Sequence, residues 1–338
     1  MDNTKELNAD HPKSSLLNKI IKIGLPILVG GLILYFLFRD TDFEQLKAVL
    51  SQANWYILLL SLPFGILGNT MRAYRWNLLI KPLGYEPRLS TLVYAVYGSY
   101  AVNFAIPRGG EIWRCGIVAK EEKIPFVKLI GTVILDRILD IVMVVVIVSS
   151  AFLFNMQFFI SYINSNEKLL SLVQTLVYSP YLYIIIVVGV LGMFVVFKCF
   201  GENKIVKKVT GLVIGFWSDL KAMGQMKEKS RLILYSILLW IFYFLHFYIA
   251  FYAFGFTKDL GITAGLIAFA ISSLSMMIPT NGGMGAWHAA IIAALLLYSV
   301  DIISAEAFAV AVFGIQTLWM LVYGFYGIIA ISTRKQLS

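Results

Sequence analysis

Residues 260–300 read LGITAGLIAFAISSLSMMIPTNGGMGAWHAAIIAALLLYSV, an uncharged run broken near its middle by Pro279-Thr-Asn-Gly-Gly-Met-Gly285. A helix rises 1.5 Å per residue, so about 20 residues cross a hydrocarbon core roughly 30 Å thick, and this run is long enough to pass twice. Lipid offers the backbone no hydrogen bonds. An irregular Pro-Gly segment at membrane depth therefore survives only where protein buries it or where it lines a wet cavity.

The rest of the chain has the same character. Of its 338 residues, 59% are hydrophobic and 14% charged, against roughly 45–50% and about 25% in soluble domains. With a mean hydropathy of +0.79, the composition excludes a soluble globular protein. Continuous apolar runs also exclude a barrel, whose strands would alternate in polarity. The uncharged gaps are Ile23 to Phe38, Ala48 to Met71, Leu89 to Pro107, Ile141 to Asn166, Leu169 to Phe197, Leu232 to Thr257, Leu260 to Val300 and Ala307 to Thr333. The expected fold is an all-α polytopic membrane protein with about eight hydrophobic regions.

Lys and Arg orient it. Arg72, Arg75, Lys81 and Arg88 follow the second gap, and Arg108, Arg114, Lys120, Lys123 and Lys128 follow the third. Both clusters favour the cytoplasm, so Leu89 to Pro107 is expected to enter the membrane and return on the same side. The two broken or re-entrant regions, around Ile106-Pro-Arg-Gly-Gly-Glu111 and Ile278-Pro-Thr-Asn-Gly-Gly283, would open to opposite sides, as two halves of an inverted repeat do. Both termini come out cytoplasmic in a cell membrane. The expected layout is a polar tail over 1–19, one transmembrane unit over 20–332 that begins with a retained signal anchor, and a short tail over 333–338. Within 202–228, apolar residues at threes and fours from Ile205 to Met223 read as an amphipathic helix, lying on the cytoplasmic leaflet or packed on the bundle.

The net charge of +9 is read as a positive cytoplasmic face, with no nucleic acid as partner. Cys115 and Cys199 form no CxxC pair, and His11, His246 and His288 lie far apart. No disulfide framework, metal or cofactor is expected.

Candidate binding residues are the charges and breaks that hydrocarbon does not tolerate. Asp136, Arg137 and Asp140 lie in Pro125 to Leu153, where the carboxylates, four apart, share a helix face. They mark a pathway or, if Ile141 to Ile160 is the span, sit at the interface. Arg108, Glu111 and Arg114 are spaced by three, and Gly109 and Gly110 let backbone amides approach an anion. The alternative is a turn on a positive cytoplasmic face. Arg72 and Arg75 beside Trp76 read as interface anchors or as ligands. Asn103, Asn281, Gly282, Gly283 and His288 complete the candidate set, with His288 also readable as a packing residue. No catalytic residue is assigned.

Four motifs in this order, Arg72-Ala-Tyr-Arg-Trp76, Pro107-Arg-Gly-Gly-Glu-Ile-Trp-Arg114, Leu135-Asp-Arg-Ile-Leu-Asp140 and Gly282-Gly-Met-Gly285, resemble the lysylphosphatidylglycerol synthetase transmembrane-region family. The resemblance implies a flippase-like membrane domain. That family's last motif usually ends in a carboxylate, where this chain has Trp287 and His288. Synthetase members carry a soluble aminoacyl-transferase domain after the membrane part; this chain stops at Ser338, so aminoacyl transfer is not expected. There is no Walker A motif. The implied activity is translocation of an anionic or aminoacylated phospholipid or of a polyprenyl-phosphate-linked lipid. Its partners would be membrane lipids and a separately encoded lipid- or glycan-modifying enzyme. The rivals are an intramembrane enzyme acting on a lipid phosphate and a scaffold for a lipid or glycan synthase.

Overall fold

The computed structural model describes residues 28, 30–106, 109–165, 167–180, 184, 188, 224, 226–275, 278 and 280–334. These form an all-α membrane protein without strands among the described residues. A helical stretch over 30–38 is followed by α1 (Phe43–Ser51), α2 (Trp55–Ile80), α3 (Leu89–Ala105), α4 (Gly109–Glu122), α5 (Phe126–Phe154), α6 (Met156–Ser165), α7 (Glu167–Tyr178), α8 (Lys229–Tyr248), α9 (Gly261–Ser275), α10 (Ala286–Leu296) and α11 (Ile302–Arg334). The expected amphipathic helix over 202–228 and the terminal tails fall almost wholly outside the described residues.

Helix starts follow their capping residues. Asp42 accepts from the amides of Glu44 and Gln45 at the start of α1, and Asp301 accepts from Ser304 N at the start of α11, each satisfying an orphan donor. Among the described residues, three elements are long and apolar enough to span: Phe126–Phe154, Lys229–Ala253 and Ile302–Thr333. α1 and α2 pass that test together but bend by 81° at their junction. The sequence gaps misplace some edges. The region Ile141 to Asn166 is not one span, because α5 begins fifteen residues earlier at Phe126 and ends at Phe154. There Asn155 Nδ2 donates to Ala151 O at 2.8 Å, and α6 follows as a separate helix.

α3 and α4 form an antiparallel hairpin. Arg88, before α3, donates to Glu122 at the far end of α4. Leu92, Ala95 and Val96 share a buried core with Cys115 and Val118, and Gly98 lies against Trp113. At the tip, Asn103 Oδ1 accepts from Gly110 N at 2.8 Å, closing the turn. A Cβ on Gly110 would lie 1.9 Å from Ser99 O, so only glycine permits this approach. Both ends of the hairpin thus lie on one side, the geometry expected of a re-entrant segment. α11 packs along α3, with Gly324 and Gly327 against its backbone, a small-residue contact of the kind that holds membrane helices together.

α9 and α10 also pack on each other across the second break. Asn281–Gly283 makes a single 3₁₀ turn there, and Gly282 takes φ +59. The two breaks meet: Gly282 lies against the Phe104 ring near the tip of α3.

Among the described residues, one large buried core joins α2, α3, α4 and α5 with Ile331 of α11, another joins α8, α9, α10 and α11 through a dense set of aromatic rings, and two smaller clusters gather Ile138 with Leu232 and Ala151 with Ile267.

Candidate functional site

Three helices supply one charged cluster beside the hairpin. Arg72 and Arg75 project from one face of α2, Asp136 and Asp140 from one face of α5, and Glu111 and Arg114 from α4. Asp136 is 0% exposed. Its Oδ1 accepts from Arg75 Nε at 2.9 Å and Arg75 Nη2 at 2.6 Å, and its Oδ2 from Arg72 Nη1 at 3.0 Å and Arg114 Nη2 at 3.1 Å. Asp140 accepts from Arg72 Nη1 at 2.7 Å and Arg75 Nη2 at 2.8 Å. Arg137, 46% exposed, pairs with Glu111 and reaches Asp140 at 3.4 Å.

The charges do not cancel. Arg72, Arg75 and Arg114 are buried with Asp136 and Asp140, which leaves one excess positive charge, while Arg137 and Glu111 offset each other. Arg72 Nε, Arg75 Nη1 and Arg114 Nε are buried without a hydrogen-bond partner. Buried donors are normally satisfied, and leaving one unmet costs about 1–3 kcal/mol or more for a charged group. Excess charge and spare N–H groups together describe a receptor for an anion, since guanidinium forks match phosphate and carboxylate oxygens. Arg114 is fixed by stacking over Trp76 at 4.6 Å, whose Nε1 donates to Thr132 Oγ1 at 2.9 Å.

A hydroxyl-rich wall adjoins Arg72. Tyr100 and Tyr243 share a hydrogen bond at 3.0 Å, Tyr243 OH donates to Asn69 Oδ1 at 2.6 Å, and Asn69 Nδ2 donates to Tyr323 OH at 2.7 Å. This chain links α2, α3, α8 and α11. It had no motif in the sequence, where Tyr100, Tyr243 and Tyr323 are three of 18 tyrosines.

Of the candidate residues, Arg72, Arg75, Glu111, Arg114, Asp136, Arg137 and Asp140 come together here. Gly110 and Asn103 build the adjacent tip, and Gly109 opens α4. Arg108 lies outside the described residues. Asn281, Gly282, Gly283 and His288 belong to the second break. His288 is buried among Phe38, Trp287 and Phe313 with Nδ1 unpartnered, away from the arginines. Arg72 and Arg75 are no mere anchors, since they bind both aspartates. Asp136 is enclosed by protein. Among the described residues, no group of three His, Cys, Asp or Glu side chains is placed to hold a metal.

Known proteins resemble this chain in sequence. The UPF0104 membrane protein MJ1595 of Methanocaldococcus jannaschii is 26% identical over 125 residues, 36% of this chain and 37% of that protein. Glycosyltransferase AglD of Haloferax volcanii is 23% identical over 298 residues, 80% of this chain and 47% of its own length. The matched segments thus span less than half of either relative. The model of the lysylphosphatidylglycerol synthase TM region matches residues 23–324, taking in both glycine breaks and every member of the charged cluster, and the protein belongs to that family.

Proposed function

We propose that the protein is a lipid translocase that accepts the phosphate of an anionic lipid head group in the Arg72, Arg75 and Arg114 cluster and passes the lipid between leaflets of the cell membrane. The observation that carries this reading is the buried excess positive charge with three unpartnered guanidinium nitrogens. A head group loses its hydration on leaving water, and preplaced donors replace that hydration. The aspartates keep the arginines paired while the cleft is empty. Arg137, half-exposed and held by Glu111, stands where a phosphate would first meet the cluster. The acyl or prenyl tails stay in lipid.

A net positive receptor suits a phosphate better than the ammonium of an aminoacylated head group, because both buried carboxylates are already engaged by arginines. A relative named as a glycosyltransferase adds weight to sugar-bearing lipid phosphates, and to a separately encoded glycan-modifying enzyme as partner. In this reading both termini face the cytoplasm.

The test is reconstitution in liposomes with fluorescent lipids of several head-group classes, including a polyprenyl phosphate, read by reagent access to the outer leaflet. Wild type accelerates movement of phosphate-bearing lipids without altering them. Arg137→Ala, at a half-exposed position that leaves the buried core intact, loses a charged hydrogen bond of roughly 1.5–3 kcal/mol, about a ten- to hundredfold loss of head-group affinity. Arg137→Lys regains part of it, keeping charge without the fork. Chemically altered lipid with no movement would replace this reading with an intramembrane enzyme.

A further inference from the structure

The charged cluster is not the only ionisable chemistry sealed in the protein. Glu306, on α11, is 4% exposed and lies in the other half of the molecule. Its Oε2 accepts from Thr41 Oγ1 at 2.8 Å, and among the described residues no basic nitrogen forms an ion pair with it. Of the charges on the elements around it, Arg39 pairs with Asp40 in solvent, Asp42 caps α1, Asp301 caps α11, and Glu44 and Lys47 of α1 are exposed.

Glu306 lies beyond the first turn of α11, where the positive end of the helix dipole has faded. Its partner Thr41 follows the C-terminal end of the 30–38 helical stretch, to which it is tied by Thr41 N donating to Phe38 O at 3.3 Å. That end carries partial negative charge, so it adds to the cost of a bare carboxylate and favours a cation. In transporters, ends of interrupted helices serve as cation sites for this reason. Phe38 also packs edge-on against His288 at 6.2 Å, so a second titratable side chain with an unpartnered nitrogen abuts the same helix end. No set of three metal-ligating side chains surrounds Glu306 among the described residues, which suits a monovalent cation rather than a multivalent metal.

We propose that Glu306, with the Thr41 hydroxyl, is a monovalent-cation site, taking up a proton or an alkali ion that neutralises the buried carboxyl. Resting on the translocase reading, the site would couple head-group movement to the gradient of that cation, at a distance from the arginines that hold the phosphate.

The purified full chain is melted in detergent across NaCl against choline chloride at fixed pH, and across pH at fixed salt. Wild type gains roughly 2–4 °C in Tm for each tenfold rise of the bound cation above saturation. Response to sodium over choline identifies an alkali ion, and response to pH alone identifies a proton. Glu306→Gln removes the responding part of the curve; superimposable wild-type and Glu306→Gln curves overturn the proposal. If the Gln variant is not recovered folded, Thr41→Val decides, because losing the hydroxyl donor shifts the midpoint of the dependence, and an unshifted midpoint overturns it. Liposome transport under an imposed sodium or pH gradient is a separate arm. No lipid movement alongside a Glu306-dependent Tm removes the translocase reading and leaves the cation site standing.

Discussion

At the first glycine break, Asn103 closes the turn onto Gly110 and arginines and aspartates of α2, α4 and α5 stand beside it. At the second, aromatic rings enclose His288 and the chain turns through left-handed Gly282, Gly283 and Gly285. Both must satisfy backbone within a membrane protein. One does so next to a high density of charge and the other within an almost wholly apolar shell, so under the proposed function the first is the place for a head group. The difference also separates two kinds of fragility: the first half depends on paired ions, and the second on shape.

The sharpest way to break the contrast is Asp136→Asn. It leaves Arg72, Arg75 and Arg114 without their shared acceptor, and removing one member of a buried ionic set costs about 3–5 kcal/mol. Thermal unfolding in detergent checks it, and a change under 1 kcal/mol would show the cluster open to water. Next come the glycines. Gly110→Ala drives a Cβ into the Ser99 carbonyl, an overpacking of about 1–3 kcal/mol with the hairpin forced apart. Gly282→Ala costs roughly 1–2 kcal/mol through its left-handed backbone, with the Phe104 ring at 3.1 Å yielding.

In the aromatic shell, His288→Phe replaces a buried ring whose Nδ1 has no partner. A shape-conserving apolar exchange costs less than about 1.5 kcal/mol or is neutral. A loss as large as that of Asp136→Asn would erase the distinction between the halves. The smallest effect lies outside both breaks, where the Lys81 ammonium and then the Arg231 guanidinium hold the surface Glu228 carboxyl below its usual range. A lowered carboxylate contributes stability above its unfolded value, near 4.3, and loses it as pH falls through the folded one. Glu228→Gln therefore removes a small, salt-sensitive increment of Tm that is present at neutral pH, and the variant and wild-type curves converge as pH falls.

Much of this was legible in the sequence, because a membrane makes charge and irregular backbone rare enough to stand out. The hairpin followed from two basic clusters flanking Leu89 to Pro107, and the i,i+4 aspartates from their place in an apolar run. Arg72 and Arg75 were ambiguous for a physical reason: interface anchors and buried ligands use the same side chain at the same distance from a span's end. The segment Pro125 to Leu153 anticipated α5 to within a residue at each end, whereas the uncharged gap Ile141 to Asn166 missed its start because hydropathy ignores a helix that runs on past its apolar part. The Tyr100, Tyr243, Asn69 and Tyr323 chain and the Thr41 and Glu306 pair join residues distant in sequence through single hydrogen bonds, which leave no periodic trace.

Cys115 sits fully buried on α4 where it packs against α3, the residue next to Arg114. With Cys199 replaced by serine it becomes the chain's sole thiol, and a thiol shut inside a hairpin reacts only as often as the hairpin parts. Its alkylation rate then measures an opening equilibrium, as amide exchange does elsewhere. The α3–α4 pair thus carries its own clock, able to time how often the hairpin loosens with and without a lipid phosphate present.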